Sequence, residues 1–319
     1  VKRRMDQIEE SVGRYLHQLD SADRQEPSHA RTMTTERLNS KIETLKDEMQ
    51  RLQKLEALML ATPGQQISLT DPDARSMATS GRGSGMVAYN VQSAVDTKHH
   101  LIVAHEVTNS GSDRSQLSAM AKQAKAAINT DKLDVVADRG YFKSEEILAC
   151  DRADITVTLP KPMTSGSRAK GRFTKQDFCY VAAEDVYRCP ANEHLVAHST
   201  TVERGLILHR YWTNACQACA IKGQCTTGKE RRITRWEHEH ILEAVQQRLD
   251  EHPEKMKQRR ETVEHPFGTI KSWMGYTHFQ MKTLKHVGTE MAFHVLAYNL
   301  KRVINIIGIR PLIAAMQAA

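Results

Sequence analysis

The sequence predicts an α/β protein: a mixed five-stranded sheet flanked by helices, preceded by a helical hairpin and interrupted by a cysteine-rich β insertion. Three observations carry that reading. Residues 38–59 place apolar side chains at helical spacing, the pattern turns to period two at Gln66, and beyond Ser115 strand-like runs alternate with amphipathic helices. At 319 residues the chain can bury a large core and still carry accessory segments. It holds 45 Lys and Arg against 38 Asp and Glu, a net charge of +7. That balance favours a polyanion such as nucleic acid as partner. No run of about 18 apolar residues offers a membrane span. The charged N-terminus also lacks the apolar stretch of a signal peptide, so a cytoplasmic location is expected.

Residues 1–64 read as a helical region with a break at 21–29. Leu38, Ile42, Leu45, Met49, Leu52 and Met59 follow a four-three spacing in which Glu56 takes one seam position. The expectation is an antiparallel hairpin packing on itself, with a dimerisation arm as the sharper alternative. Pro63-Gly64 ends it.

Residues 65–160 form the first part of the main α/β domain. Ile67, Leu69 and Asp71 point the same way along a short strand, with Asp73 beyond Pro72. A Gly/Ser-rich loop at 79–85 leads into strands at 86–95 and 101–108, joined through Asp96, which suits a turn cap. These strands make a three-stranded meander. A helix over 115–128 precedes the apolar run 133–137, a short helix follows Ser144, and 155–159 is the fifth strand.

Residues 161–232 form the insertion, with a Gly/Ser/Lys/Arg loop at 164–172 and strand-like segments at 181–187 and 206–212. Residues 233–319 return to the main domain through helices broken at His252-Pro253. The last helix, 289–307, carries Met291, Val295, Leu296, Leu300, Val303, Ile304 and Ile307 as a stripe expected to pack on the sheet.

The chemistry concentrates in two places. The run Leu133, Val135, Val136, Ala137 ends in Asp138, Arg139 and Gly140, delivering a carboxylate to the C-terminal edge of a strand, where ligands bind in open α/β sheets. Far downstream, Arg260, Glu264 and Lys271 are spaced so that the second and third lie only ~40° and ~20° around a helix from the first. A carboxylate between two cations suits a metal ligand flanked by phosphate-binding side chains. Pro266 and Gly268 fall inside that helix and disturb the phase of Lys271.

A further set lies in the insertion. Cys189, Cys216, Cys219 and Cys225 have the spacing of a tetrahedral thiolate zinc site, with four reduced thiols or an iron-sulfur cluster as alternatives. Lys222, Lys229, Arg231 and Arg232 surround Cys225 and offer a basic track for a DNA backbone. Cys150 and Cys179 are read as incidental, and His238 and His240 as surface residues.

The pairing of Asp138-Arg139-Gly140-Tyr141 with Arg260, Glu264 and Lys271 resembles the DDE transposases of bacterial insertion sequences, a branch of the RNase H-like superfamily that includes retroviral integrases. The resemblance runs over about residues 66–308. The family's signature also has a tyrosine three residues before the arginine, where Lys257 stands here.

The resemblance implies an RNase H-like sheet with Asp71 on its first strand beside Asp138. Asp71, Asp138 and Glu264 would then form a catalytic triad holding Mg²⁺ or Mn²⁺, with Asp96, Asp73 and Asp113 as competitors for the first place. It implies double-stranded DNA as partner, both the element's terminal inverted repeats and the target. Lys257, Arg260 and Lys271 would lie along that DNA, a homodimer or larger assembly would form on it, and the location would be the bacterial nucleoid. It also supports the four-cysteine zinc set. Because the chain begins at Val1, much of a helical DNA-binding region ahead of the catalytic part is expected to be missing. A metal-dependent nuclease without strand transfer and a truncated DNA-binding protein are the alternatives.

Overall fold

The computed structural model describes residues 1–23, 29–78, 85–162 and 166–318. They form two compact units. One draws on three segments, Val1–Asn90, Asn109–Gly111 and Met281–His286, and the other on Val91–Thr108, Ser112–Gln280 and Val287–Ala319.

In the first unit, α1 (Lys2–Asp23) and α2 (His29–Ala61) form the expected antiparallel hairpin. Arg4 donates to Glu48 at 2.9 and 3.0 Å, and Lys41 sits 5.6 Å over the Tyr15 ring, so partners early in α1 meet residues late in α2. Ile8, Leu38 and Ile42 are buried between them. Glu56 holds one carboxylate oxygen buried with no hydrogen-bond partner, the cost of a charged residue in the apolar seam.

The strand expected at 67–71 does not form. Asp71 instead begins a turn: its N–H reaches Ser68 Oγ at 3.2 Å, its side chain takes the Asp73 N–H at 3.3 Å, and its carbonyl takes the Ala74 N–H at 3.1 Å. Pro72 has no N–H for a ladder, and the Ser68 and Asp71 side chains, bonding local backbone, outcompete strand pairing. The first strand is β1 (Arg75–Ala78), paired antiparallel with β2 (Gly85–Ala88). Most of the Gly/Ser-rich loop between them lies outside the described residues.

The expected strand at 86–95 is divided at Tyr89. Its second half, β3 (Asn90–Val95), pairs with β4 (Ile102–Thr108) in a separate two-stranded sheet. In the second unit, α3 (Leu117–Ala127), β5 (Leu133–Val136), α4 (Ser144–Asp151) and β6 (Ile155–Thr158) follow in the expected order. Strands β5 and β6 are parallel, with Leu133 opposite Ile155. They are packed by Ile147, Cys150 and Leu159, and by Trp236, Leu242 and Val245 from further along the chain.

The five-stranded sheet of this protein lies elsewhere. β7 (Cys179–Val181), β8 (Val186–Arg188), β9 (His194–Glu203), β10 (Leu206–Trp212) and β11 (Ile233–Trp236) pair in the order β11-β10-β9-β8-β7, antiparallel throughout. The mixed five-stranded RNase H-like sheet is therefore corrected. Among the described residues the strands before the insertion pair two by two, because residues 67–71 turn and Tyr89 interrupts the next run.

Helices α5 (Glu239–Glu251) and α6 (Glu254–Gly268) break at His252-Pro253 as expected. α7 (Leu284–Ile307) buries Val287, Met291, His294, Val295 and Tyr298, part of this face packing with Ile102 of β4. The predicted stripe is corrected in part: Leu296, Leu300 and Ile307 lie on the other side of α7 and are exposed. α8 (Ile309–Ala318) ends the chain. Among the described residues no helix is long and apolar enough to cross a membrane.

Candidate functional site

Asp138 stands where the period of β5 ends. The Ala137 N–H still reaches Thr158 O at 3.1 Å, so the ladder carries the chain one residue past the strand before Asp138 opens a 3₁₀ turn over Arg139–Tyr141. Its Oδ1 accepts the Gly140 N–H at 2.8 Å. A Cβ at Gly140 would lie 2.9 Å from that oxygen and 3.6 Å from Asp113 Oδ2, so glycine is what allows both carboxylates to approach the turn. Asp138 Oδ2 accepts from Arg259 Nη2 at 2.9 Å, and the carboxylate stays 40% exposed.

Behind it runs a buried polar chain. Tyr141 donates its hydroxyl to Gln92 Oε1, and Gln92 Nε2 donates to Asp113 Oδ1 at 2.8 Å. Gln92 is almost completely buried, so it needs both partners. Burial raises the Tyr141 pKa, and the charges of Asp113 and Asp138 raise it further, keeping the phenol a donor.

Arg260, Glu264 and Lys271 are all exposed. The side chain of α6 that meets Asp138 is Arg259, one place before the arginine that the spacing singled out. Glu264 is five residues further on, ~140° around the helix from Arg259. Pro266 is buried inside α6, and Lys271 falls in a π-helical turn, Thr269–Trp273, so the uniform 100° step that aligned it with Arg260 does not apply. Lys271 Nζ lies 5.9 Å from the Phe267 ring centre. Lys257 is exposed and stands 3.9 Å from Glu261.

Asp71 belongs to the first unit. Its Oδ2 accepts from the Tyr89 hydroxyl at 2.8 Å, and its Oδ1 from the Thr283 N–H at 3.1 Å. Burial opposes its ionisation, but the donors from Tyr89, Thr283 and Asp73 outweigh burial and hold the carboxyl below its ordinary range. Asp73 Oδ2 accepts the Leu284 N–H at 2.8 Å. Asp96 caps the β3–β4 turn as expected, taking the His99 N–H at 2.6 Å.

The four cysteines singled out in the insertion converge. Cys189, Cys216, Cys219 and Cys225 line one cavity with Phe178 and Arg231. Burial raises the Cys225 pKa, the other three thiols add to that, and Arg231 opposes it. Arg231, expected on a DNA track, instead lines this cavity, its guanidinium 5.5 Å over the Phe178 ring and its Nε buried with no hydrogen-bond partner. Arg232 pairs with Glu230 at 2.8 Å and lies 5.1 Å over the Trp212 ring, while Lys229 is exposed.

Cys179 is exposed, and Cys150 is fully buried with its thiol pushed up to about 12. His240 is exposed as expected, whereas half-buried His238 packs edge-on to Trp236 at 5.1 Å. Among the described residues no group of three or more His, Cys, Asp or Glu is gathered as a metal ion would require, thiols and carboxylates alike.

Sequence reading missed Arg259 and Gln92, and gave Tyr141 no role beyond its place in the motif. The helical phase carried a signal for Arg259, since it shares the inward face of α6 with buried Thr262 and Pro266. Gln92 carried none, being one polar residue in a strand.

Two family profiles, each described as "Transposase DDE domain", match the chain over residues 59–171 and 188–304, together most of its length. No curated protein and no solved structure matches it.

Proposed function

Because the chain belongs to the DDE transposases of insertion sequences, we propose that it cleaves DNA at the ends of a mobile element and joins the released 3′-hydroxyls to target DNA. The observation that carries this reading is the meeting of Asp138, at the edge of a parallel strand pair, with Arg259 from the helix that bears Glu264. The proposed triad is Asp71, Asp138 and Glu264. Three carboxylates are the hard oxygen donors that Mg²⁺ or Mn²⁺ takes. Bound divalent ions there would supply Lewis-acid activation of the phosphodiester.

The chain's own residues do the positioning. Gly140 N–H and Arg259 fix both oxygens of Asp138, and the Tyr89 hydroxyl and Thr283 N–H fix those of Asp71. Exposed Arg260 and Lys271 take phosphate oxygens of the strand being cut, with Lys257, Lys229 and Arg232 along the duplex. In cleavage, water adds to phosphorus as the 3′ oxygen leaves with a proton. In joining, that 3′-hydroxyl adds to a target phosphorus and a target 3′ oxygen leaves, so phosphodiester bonds are conserved. Two copies of the chain would hold the two element ends, and the work would take place at the nucleoid. For a structural zinc, Cys189, Cys216, Cys219 and Cys225 would be the ligands, supplying thiolate sulfurs once drawn together.

The test is cleavage and joining on DNA carrying the element's own ends, with Mg²⁺, comparing wild type with Asp71→Ala, Asp138→Ala, Glu264→Ala and Asp96→Ala. The proposal requires joined product from wild type and Asp96→Ala, and none from the other three. Cleavage without joining would make this a nuclease, and binding without chemistry a DNA-binding remnant.

A further inference from the structure

Trp273 is 82% exposed, while the two other tryptophans are occupied: Trp236 is buried, and Trp212 is stacked on His198 at 4.0 Å with Arg232 beside it. An indole left in water forgoes burial that most tryptophans obtain. Here the exposure is built in rather than left over. Ile270 is buried, and Phe267 and Met274 pack with it against Met291, Val295 and Tyr298, so these apolar neighbours turn inward while Trp273 stands in water. The π-helical turn that carries it is closed by the Met274 N–H on Thr269 O at 3.0 Å and the Tyr276 N–H on Ile270 O at 3.2 Å, with Gly275 at φ +79°. π-Helical turns of this kind recur at functional sites.

The charge beside the ring is positive: Lys301 Nζ lies 6.0 Å from its centre. A flat apolar face beside a cation matches a nucleobase next to a phosphate. A base within a duplex offers no free face, so the ligand is a base that is unpaired, at a strand end or turned out of the helix.

We propose that Trp273 is a stacking platform for an unpaired base of the DNA this protein acts on, an inference that rests on the transposase reading above. The test measures binding of an oligothymidine single strand and of a duplex of equal length, with tryptophan emission recorded in both titrations. Wild type binds both and is quenched by the single strand. Trp273→Ala loses most of that quench and binds the single strand roughly ten- to a hundredfold more weakly, with duplex affinity unchanged, and Trp273→Phe recovers most of the single-strand affinity. If Trp273→Ala binds the single strand like wild type, or loses both DNA forms equally, or loses self-association with DNA binding intact, the stacking role is overturned and the transposase reading stands. Wild type that binds neither form overturns both.

Discussion

Replacing Glu239 by Gln tests how the insertion is fastened to the rest of its unit. Glu239 is 7% exposed at the start of α5. It lies 2.7 Å from Lys175 Nζ and 3.6 Å from Lys161 Nζ, and it accepts the Trp236 N–H at 3.2 Å. Burial pushes its pKa up, but Lys175 first and then Lys161 outweigh burial, and the carboxyl ends below its ordinary range. Glutamine keeps the shape and the bond to Trp236 while deleting the charge, leaving Lys175 without its counter-ion.

Breaking a fully buried pair costs ~3–5 kcal/mol. Here the lysine side chains are 35% and 45% exposed, so water takes up part of the loss. That leaves about 2 kcal/mol, or roughly 4–8 °C in Tm for a unit of this size. A depressed carboxyl pKa stabilises the fold fully above the unfolded value and loses that effect as pH falls through the folded value. The gap between wild type and Glu239→Gln is thus full at pH 7 and closes below about pH 4. Thermal unfolding at both pH values reads this directly. A variant within about 1 °C of wild type at pH 7, or a gap that persists in acid, would refute the reasoning.

Arg259→Ala should lower the cleavage rate at saturating Mg²⁺ by roughly 10- to 100-fold, as losses of groups that orient a metal ligand do. Arg259→Lys should fall between, and Arg260→Ala should weaken DNA binding instead. Cys150, buried and pushed up to about 12, should escape alkylation at pH 8 until the protein is denatured, while exposed Cys179 reacts first; peptide mass spectrometry reads both. Denaturing native protein in a chromogenic chelator should release about one zinc per chain, lost in Cys216→Ser and kept in Cys179→Ser. Ile8→Ala, emptying the centre of the helical hairpin, should cost about 2–4 kcal/mol, read as loss of helical ellipticity at lower urea.

Where the sequence was legible, one local rule decided the outcome. The first part of the seam, around Leu38 and Ile42, became the inner face of a hairpin because helical period and burial agree there. The run from Leu133 to Ala137 became a half-buried strand that releases Asp138 because an apolar run followed by Asp and Gly has few other solutions. The cysteine spacing brought four thiols to one cavity. Illegibility began where local chemistry competed with pattern. At Asp71 the period-two alternation was real, but Pro72 and two side-chain-to-backbone bonds made a turn of it. β9 was invisible because most of its residues face water on both sides, leaving no alternation to read. Arg259 and Arg260 are neighbours, and which of them meets Asp138 depends on the rotation of α6, which the buried Thr262 and Pro266 set.

The setting of Asp71 also has a consequence for the order in which the chain is made. This carboxylate is synthesised early, yet one of its donors is the backbone of Thr283, and neighbouring Asp73 is held by Leu284, both in a six-residue segment more than two hundred residues later. A nascent chain carries Asp71 for more than two hundred residues before its setting can close. Any product that stops short of that segment, through a nonsense codon or a frameshift, keeps the Tyr89 bond to Asp71 but lacks the Thr283 and Leu284 donors. Synthesis through that segment is thus a condition for the full set of donors around Asp71 and Asp73.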